Sequence, residues 1–247
     1  MYGKWEKTGQ PCPCGKSSDG YSVDKEGKGY CFGQCGGKYF KNNVQQELNK
    51  ENLTSKVYAH RGLNENTMRL YNVQTSFLDN EIPNEIGFPY PKVGDQNVFK
   101  IRNLLVPKGQ KGHFRSMGPI SKAGLFGMDK FPKGSKRSIT ITEGEYDAMS
   151  MYQITDGNTA GVSISSSSSV ARDLRENWEY VNSFDKIIFA FDTDTAGQEA
   201  LNKVVGMFDF KKTYICDLSL HKDANDYLQK NHQRQLFETW QGAKRYS

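Results

Sequence analysis

The chain has 247 residues, 36% of them hydrophobic and 25% charged, and its 33 Lys and Arg against 28 Asp and Glu give a net charge of +5. No apolar run approaches the roughly 18 residues that a membrane-spanning helix needs, so composition excludes an integral helical membrane protein. The first residues lack the apolar stretch of a signal peptide, and the cysteine count, five, is odd. We therefore expect a protein of a reducing compartment rather than a secreted disulfide scaffold.

Four of the cysteines form two pairs near the start of the chain, Cys12 with Cys14 and Cys31 with Cys35. Residues 1–40, which contain them, are rich in Gly and cannot build an apolar core, so a cross-link must hold this segment together. Two pairs of thiols separated by 16 residues predict a four-thiolate zinc site in a ribbon of short strands. The alternative is that the cysteines merely cluster, because Cys-x-Cys and Cys-x3-Cys replace the usual Cys-x2-Cys spacing.

A polar linker, residues 41–56, leads to a segment of mixed character, residues 57–137, whose short alternating stretches and Pro and Gly residues predict a small α+β subdomain. Residues 100–137 within it carry ten basic groups and a single acid, Asp129. A phosphate-rich partner would explain this imbalance, and the alternative is a solvated, Lys-rich surface.

Residues 138–247 are predicted to form an open, mainly parallel α/β sheet with a C-terminal helical segment, because apolar strand patterns alternate with helical patterns. Strands are expected at 139–142, 160–164, 187–191 and 213–216, and helices at 145–152, from Val170, over 196–208 and from Asp223.

Acidic residues follow the predicted strands: Glu143 after the first, Asp192 and Asp194 after the buried one, and Asp223 with Asp226 after the last. Ligands bind beyond the carboxyl ends of the strands in such sheets, and crowded carboxylates stay ionised only when a cation lies between them. Oxygen ligands without His or Cys suit Mg²⁺ or Mn²⁺. The alternative role for Asp194 and Asp223 is to cap the helices that begin after them.

A run of five serines, Ser165 to Ser169, follows the second predicted strand of this segment. Its hydroxyl and amide groups suit phosphate, but a plain connection between strand and helix is the favoured interpretation.

The stretches Thr142-Glu143-Gly144-Glu145 and Asp192-Thr193-Asp194-Thr195-Ala196-Gly197 resemble a TOPRIM domain, the Rossmann-like metal-binding module of primases and topoisomerases. Together with the cysteine-rich segment, almost the whole chain resembles the primase half of phage bifunctional primase–helicases and, more distantly, bacterial replicative primases. Three further stretches carry this wider resemblance: His60-Arg61-Gly62-Leu63, Ala123-Gly124-Leu125-Phe126-Gly127 and Lys222-Asp223-Ala224-Asn225-Asp226.

The resemblance implies roles for individual residues. Glu143 would act with the first metal or as the base, Asp192 and Asp194 would bind magnesium, and Asp223 matches a further acidic catalytic position. Glu145 and Asp147 lie in the same motif as Glu143. The basic residues expected to hold nucleotide or template are Arg61, Lys100, Arg102, Arg115, Lys122 and Lys222.

The resemblance further implies a DNA primase that makes short RNA primers on single-stranded DNA by two-metal nucleotidyl transfer, with the zinc ribbon contacting the template. Its expected partners are the template, ribonucleoside triphosphates and a replicative helicase, and its expected location is the cytoplasm, that of the host if a phage encodes it. The chain is too short to include a helicase, so we expect a free-standing primase or a primase fragment. The alternatives are a TOPRIM-type nuclease and a non-catalytic zinc-ribbon DNA-binding protein.

Overall fold

The computed structural model describes residues 5–10, 21–25, 28–31, 39–41, 58–78, 82–107 and 109–246. The chain divides into two compact units, residues 1–51 and residues 52–247. None of the helices in the described ranges is long and apolar enough to cross a membrane.

The first unit contains a four-stranded antiparallel sheet in the order β1-β2-β3-β4. The strands are β1 Trp5–Gln10, β2 Tyr21–Asp24, β3 Lys28–Cys31 and β4 Tyr39–Lys41. Tyr21 and Val23 are its buried apolar side chains among the described residues. Of the predicted zinc ligands, Cys12, Cys14 and Cys35 lie outside the described residues. Cys31 ends β3, and its side chain lies outside the description as well.

The second unit begins with a short helix and a second antiparallel sheet in the order β5-β6-β7-β8. The elements are α1 Glu65–Leu70, β5 Gln74–Phe77, β6 Pro83–Val93, β7 Gln96–Asn103 and β8 Phe114–Met117. Helix α1 begins where the Asn64 side chain accepts a hydrogen bond from the Thr67 amide, which satisfies one amide of its open first turn.

The predicted parallel sheet is confirmed. Its strands are β9 Ser138–Thr142, β10 Thr159–Ser163, β11 Lys186–Phe189 and β12 Thr213–Ile215, and β13 Lys244–Arg245 adds an antiparallel edge in the order β10-β9-β11-β12-β13. Every residue of β9 and β10 is buried, as expected of strands covered on both faces.

Helices connect and flank these strands: α2 Glu145–Ile154, α3 Val170–Glu176, α4 Trp178–Asn182, α5 Thr195–Val204, α6 Ala224–Gln229 and α7 Gln233–Gln241. Strand β11 ends two residues before its predicted end at Phe191. The Asp192 amide, just beyond it, donates to the Glu143 side chain (3.1 Å) instead of to a neighbouring strand.

One apolar core joins both sheets of the second unit. The rings of Tyr71 and Phe126 stack at 5.2 Å, and Phe88 meets Tyr146 edge to face at 5.1 Å. Phe126 also forms an isolated backbone bridge with Ser163 at the end of β10. These contacts fix the antiparallel sheet beside the carboxyl ends of the parallel strands.

Candidate active site

The four predicted acidic residues converge at the carboxyl edge of the parallel sheet. Glu143 follows β9, and its Oε1 accepts a hydrogen bond from the Asp192 amide beyond β11 (3.1 Å). The Thr193 amide donates to the carbonyl oxygen of Lys222 (2.9 Å), which brings the segment before α6 to the same place. The Lys222 ammonium lies 3.5 Å from Asp192 Oδ2 and 3.0 Å from Asp194 Oδ2.

The environment of Asp192 disfavours a negative charge. Burial, and next the nearby Glu143 and Asp223 carboxylates, raise the pKa of Asp192 to about 7, although Lys222 opposes the shift. The hydrogen bond of Lys222 to Asp194 also raises the pKa of the Lys222 ammonium group, which favours its charged form. This edge of the sheet therefore favours a bound positive charge.

The capping role proposed for two of the acids is also present. Asp194 Oδ1 accepts from the Gly197 amide at the start of α5 (3.1 Å), and Asp223 Oδ1 accepts from the Asp226 amide at the start of α6 (2.8 Å). Capping uses one oxygen of each carboxylate. It fixes both side chains at the sheet edge, so capping and a role at the site are compatible.

Asp147 belongs to the same acidic cluster. It lies in the first turn of α2, is buried, and accepts a hydrogen bond from the Asn225 amide (2.9 Å). Burial, then Asp223 and Asp192, raise the pKa of Asp147 well above the usual range. Its position four residues after Glu143 is the sequence feature that indicates its place in the cluster.

As they stand, no three His, Cys, Asp or Glu side chains within the described ranges are arranged to hold a metal ion. The chemistry of the donor set nevertheless suits Mg²⁺ or Mn²⁺, because its donors are crowded carboxylate oxygens. Lys222 supplies the positive charge between Asp192 and Asp194 in this structure.

Lys100 of β7 and Glu145 of α2 pair with each other rather than facing solvent. The Lys100 ammonium contacts Glu145 Oε1 (2.9 Å) and donates to the Ser165 carbonyl oxygen (3.1 Å). The Tyr90 hydroxyl donates to the same Glu145 oxygen (2.6 Å). Both charged groups are largely buried, so this network fixes the antiparallel sheet to α2 and to the serine run.

Arg61 and Arg102 both approach the ring of Tyr146, with guanidinium carbons 4.8 and 5.4 Å from the ring centroid. Arg61 Nε donates to Oδ1 of the Asn225 side chain (2.6 Å). The backbone amide of Asn225 donates to Asp147, so Asn225 links the arginine to that carboxylate. Arg102 Nε and the Tyr146 hydroxyl are buried and make no hydrogen bond within the described part of the chain. Sequence reasoning missed Asn225 as the link, although it lies in the Lys222 to Asp226 stretch.

The remaining predicted basic residues, Arg115 and Lys122, lie in β8 and shortly after it. Arg115 forms an ion pair with Glu85 (3.1 Å), and Lys122 is an exposed residue that ends the short 3-10 helix Ile120–Lys122. Arg115 lines a cavity of about 500 Å³ between β7, β8 and the serine run.

The serine run contacts the acidic edge, contrary to the favoured interpretation of a plain connection. The Ser167 hydroxyl donates to Glu143 Oε2. The Asp173 carboxylate holds the start of the run by accepting from the Ser165 amide (2.9 Å) and the Ser165 hydroxyl (2.7 Å). Four of its serines, all but Ser167, also line the cavity between β7, β8 and the run.

Comparisons with known proteins find a matching family and a related phage protein. Residues 140–228 match a family described as Toprim-like. The chain is 26% identical over 231 residues to a DNA helicase/primase of Enterobacteria phage T3, covering 87% of this chain but only 40% of that protein.

Two solved structures share the fold. The primase fragment of the bacteriophage T7 primase-helicase matches with a TM-score of 0.64 at 23% identity, covering 94% of this chain and 98% of that one. The zinc-binding and RNA polymerase domains of the Aquifex aeolicus primase match with a TM-score of 0.55 at 12% identity, covering 99% and 82%. The chain therefore contains a Toprim-like domain and is similar in sequence to a phage helicase/primase and in fold to primases.

Proposed function

We propose that this protein is a DNA primase, a DNA-directed RNA polymerase that synthesises short RNA primers on single-stranded DNA. The observation that carries the proposal is the convergence of Glu143, Asp192, Asp194 and Asp223 at the carboxyl edge of a Toprim-like sheet. The sequence similarity to a phage DNA helicase/primase supports the same reaction.

In this reaction a 3′-hydroxyl oxygen attacks the α-phosphorus of a ribonucleoside triphosphate, pyrophosphate leaves, and the hydroxyl proton passes to a base. Glu143, Asp192 and Asp194 would hold Mg²⁺ or Mn²⁺, which would activate the hydroxyl and neutralise the leaving pyrophosphate. If Glu143 does not bind the metal, it is the candidate base, and in either role the Ser167 hydroxyl that donates to it would fix its orientation. Asp223 adds negative charge beside these residues, and the buried Asp147 completes the acidic cluster.

The candidate groups for the nucleotide and the template are basic. Arg61 and Arg102 lie beside Tyr146, next to the acidic cluster, and a planar guanidinium suits bidentate contact with phosphate. Arg115 and Lys122 would bind farther along the same strand of nucleic acid, whereas Lys222, beside Asp192 and Asp194, would contact the triphosphate. Lys100 would act mainly by positioning, because Glu145 and the Ser165 carbonyl already engage its ammonium.

We also propose that Cys12, Cys14, Cys31 and Cys35 hold a structural zinc ion in a ribbon that contacts the template. The thiolate set suits zinc. Support comes from the fold similarity to a primase whose solved structure comprises zinc-binding and RNA polymerase domains.

A replicative helicase is the proposed protein partner. The phage T3 relative is a helicase/primase, and this chain spans 40% of its length. Helicase activity would accordingly come from another part of the same polypeptide or from a separate protein, in the cytoplasm of the host.

A primer-synthesis assay separates the proposed primase from the two alternatives. The reaction contains single-stranded DNA templates of mixed sequence, four ribonucleotides with one labelled at the α-phosphate, and Mg²⁺ or Mn²⁺. We expect short labelled RNA that requires the template. A shortened template without RNA would identify a nuclease instead, and DNA binding with neither product would favour a non-catalytic DNA-binding protein.

A further inference from the structure

Phe114 is an exposed aromatic residue in an otherwise polar part of the second unit. It begins β8, and its residue surface is 45% exposed, whereas Phe88, Tyr90 and Phe99 on the neighbouring strands are buried. The residue lines the 500 Å³ cavity between the antiparallel sheet and the serine run. Nothing in the packing of the apolar core requires this ring.

The protein surrounds the Phe114 ring with cationic and aromatic groups. The Lys100 ammonium lies 5.2 Å and the Arg102 guanidinium carbon 5.9 Å from its centroid. The His113 ring meets it edge to face at 4.6 Å and is itself fixed by a hydrogen bond between Nδ1 and the Val106 carbonyl oxygen (2.7 Å). An aromatic ring held beside cations is the arrangement that single-strand-binding proteins use to stack bases.

The far wall of the cavity suits a phosphate chain. Ser166, Ser168 and Arg172 line it, and the Arg172 side chain remains 42% exposed although Asp173 accepts two of its hydrogen bonds. Arg115 lines the near side and is 34% exposed. Both guanidinium groups retain donors for a phosphate oxygen, because each has five N–H groups.

We propose that Phe114 is a stacking platform for a nucleobase whose phosphate chain lies in this cavity against Arg115 and Arg172. The ligand is single-stranded DNA or a ribonucleotide. Ser167, in the same serine run, contacts Glu143, so a strand in the cavity leads toward the acidic edge. The inference rests on the proposed function, for which it adds a positioning residue that the sequence motifs do not contain.

The test places a fluorescent reporter at the platform. Full-length Phe114→Trp and a control, Phe210→Trp, are titrated with an oligothymidylate, with an abasic oligonucleotide of the same length, and with ATP. Wild-type emission, from the native tryptophans, is subtracted. Phe210 is 56% exposed and precedes β12 at the opposite, amino end of the parallel strands. We expect quenching of Phe114→Trp by a ligand that carries a base, little quenching by the abasic strand, and none at Phe210→Trp.

The response identifies the source of the base. Quenching by the oligothymidylate assigns the platform to the template, and quenching by ATP alone assigns it to the ribonucleotide. Equal quenching by the abasic strand, or no quenching by any ligand, would overturn the proposal.

Phe114→Leu supplies a second measurement without a reporter. It should weaken binding of the base-carrying ligand roughly 5- to 150-fold, the range that removal of one base–aromatic stack gives, and leave affinity for the abasic strand unchanged. Unchanged affinity for both ligands would also overturn the proposal. If the wild type still made primers, the proposed primase function would stand without the platform. If stacking were observed but the wild type made no primers, the platform would stand and the proposed primase function would fail.

Discussion

At the scale of single residues, two buried tyrosine hydroxyls differ in what they contact. The Tyr90 hydroxyl donates to the Glu145 carboxylate (2.6 Å), whereas the Tyr146 hydroxyl has no hydrogen-bond partner among the described residues. A buried polar group without a partner costs stability, and one bonded to a charge contributes to it. Removal of the hydroxyl oxygen should therefore lower the free energy of unfolding at Tyr90 but not at Tyr146.

Tyr146→Phe is expected to leave the free energy of unfolding unchanged or to raise it by up to about 1 kcal/mol. Tyr90→Phe, the matched variant, should lower it by about 1.5–3 kcal/mol, because the Glu145 carboxylate loses a donor. Chemical denaturation of both variants beside the wild type checks the pair. A larger loss for Tyr146→Phe than for Tyr90→Phe would show that the Tyr146 hydroxyl has a partner.

At the scale of elements, the start of α5 approaches the acidic edge so closely that only glycine fits at position 197. A Cβ added to Gly197 would collide with the Asp192 carbonyl oxygen and lie 2.6 Å from Glu143 Oε1. The Gly197 amide also donates to Asp194 Oδ1. Any shift of this helix would therefore move three candidate catalytic side chains together.

Gly197→Ala should lower primer synthesis by about 10-fold or more, because displacement of catalytic groups by an ångström is costly in rate. Gly206→Ala is the control: a Cβ there meets no atom within 4 Å, so its activity and melting temperature should match the wild type. Initial rates and thermal denaturation of both variants make the comparison. Wild-type rates for Gly197→Ala would mean that the acidic edge tolerates this displacement.

Sequence patterns were sufficient for the parallel sheet and for the acids at its edge. The run Ile187 to Phe191 is continuously apolar because β11 is covered on both faces, and Asp192 and Asp194 follow it directly. The contacts of Lys222 with both carboxylates, and of Ser167 with Glu143, were not predictable. They depend on hydrogen bonds between segments distant in the chain, such as that from the Thr193 amide to the Lys222 carbonyl oxygen.

The same limit applies to the basic residues. A count of charges indicates a basic subdomain, but it does not distinguish Lys100, which is paired and largely buried, from the exposed Lys122. Phe114 had no sequence signal, because one aromatic residue in a strand is usually part of a core.

At the scale of the whole molecule, the chain divides into a cysteine-rich unit and a unit that contains the acidic edge, and we expect the two to contribute separately to primer synthesis. Cys35→Ser, or chelation of zinc, should reduce the preference for particular template sequences more than it reduces the rate of ribonucleotide condensation. Cys216→Ala is the control, because Cys216 is a lone buried cysteine after β12. Metal analysis should find about one zinc ion per chain in the wild type and Cys216→Ala, and none in Cys35→Ser. Equal loss of selection and condensation would argue against a separate template-reading role.

The central claim is that the acidic sheet edge carries out nucleotidyl transfer. The most direct measurement is the initial rate of primer synthesis by Asp192→Asn and Asp209→Asn as Mg²⁺ is varied. Asp209 is an exposed residue before β12, at the amino end of the strands, and accepts a hydrogen bond from the Lys211 amide that asparagine can also accept. We predict a loss of about 100-fold or more for Asp192→Asn, as when a transition-state stabiliser is removed, with DNA binding retained and with Asp209→Asn equal to the wild type. Equal rates for the two variants would contradict the account.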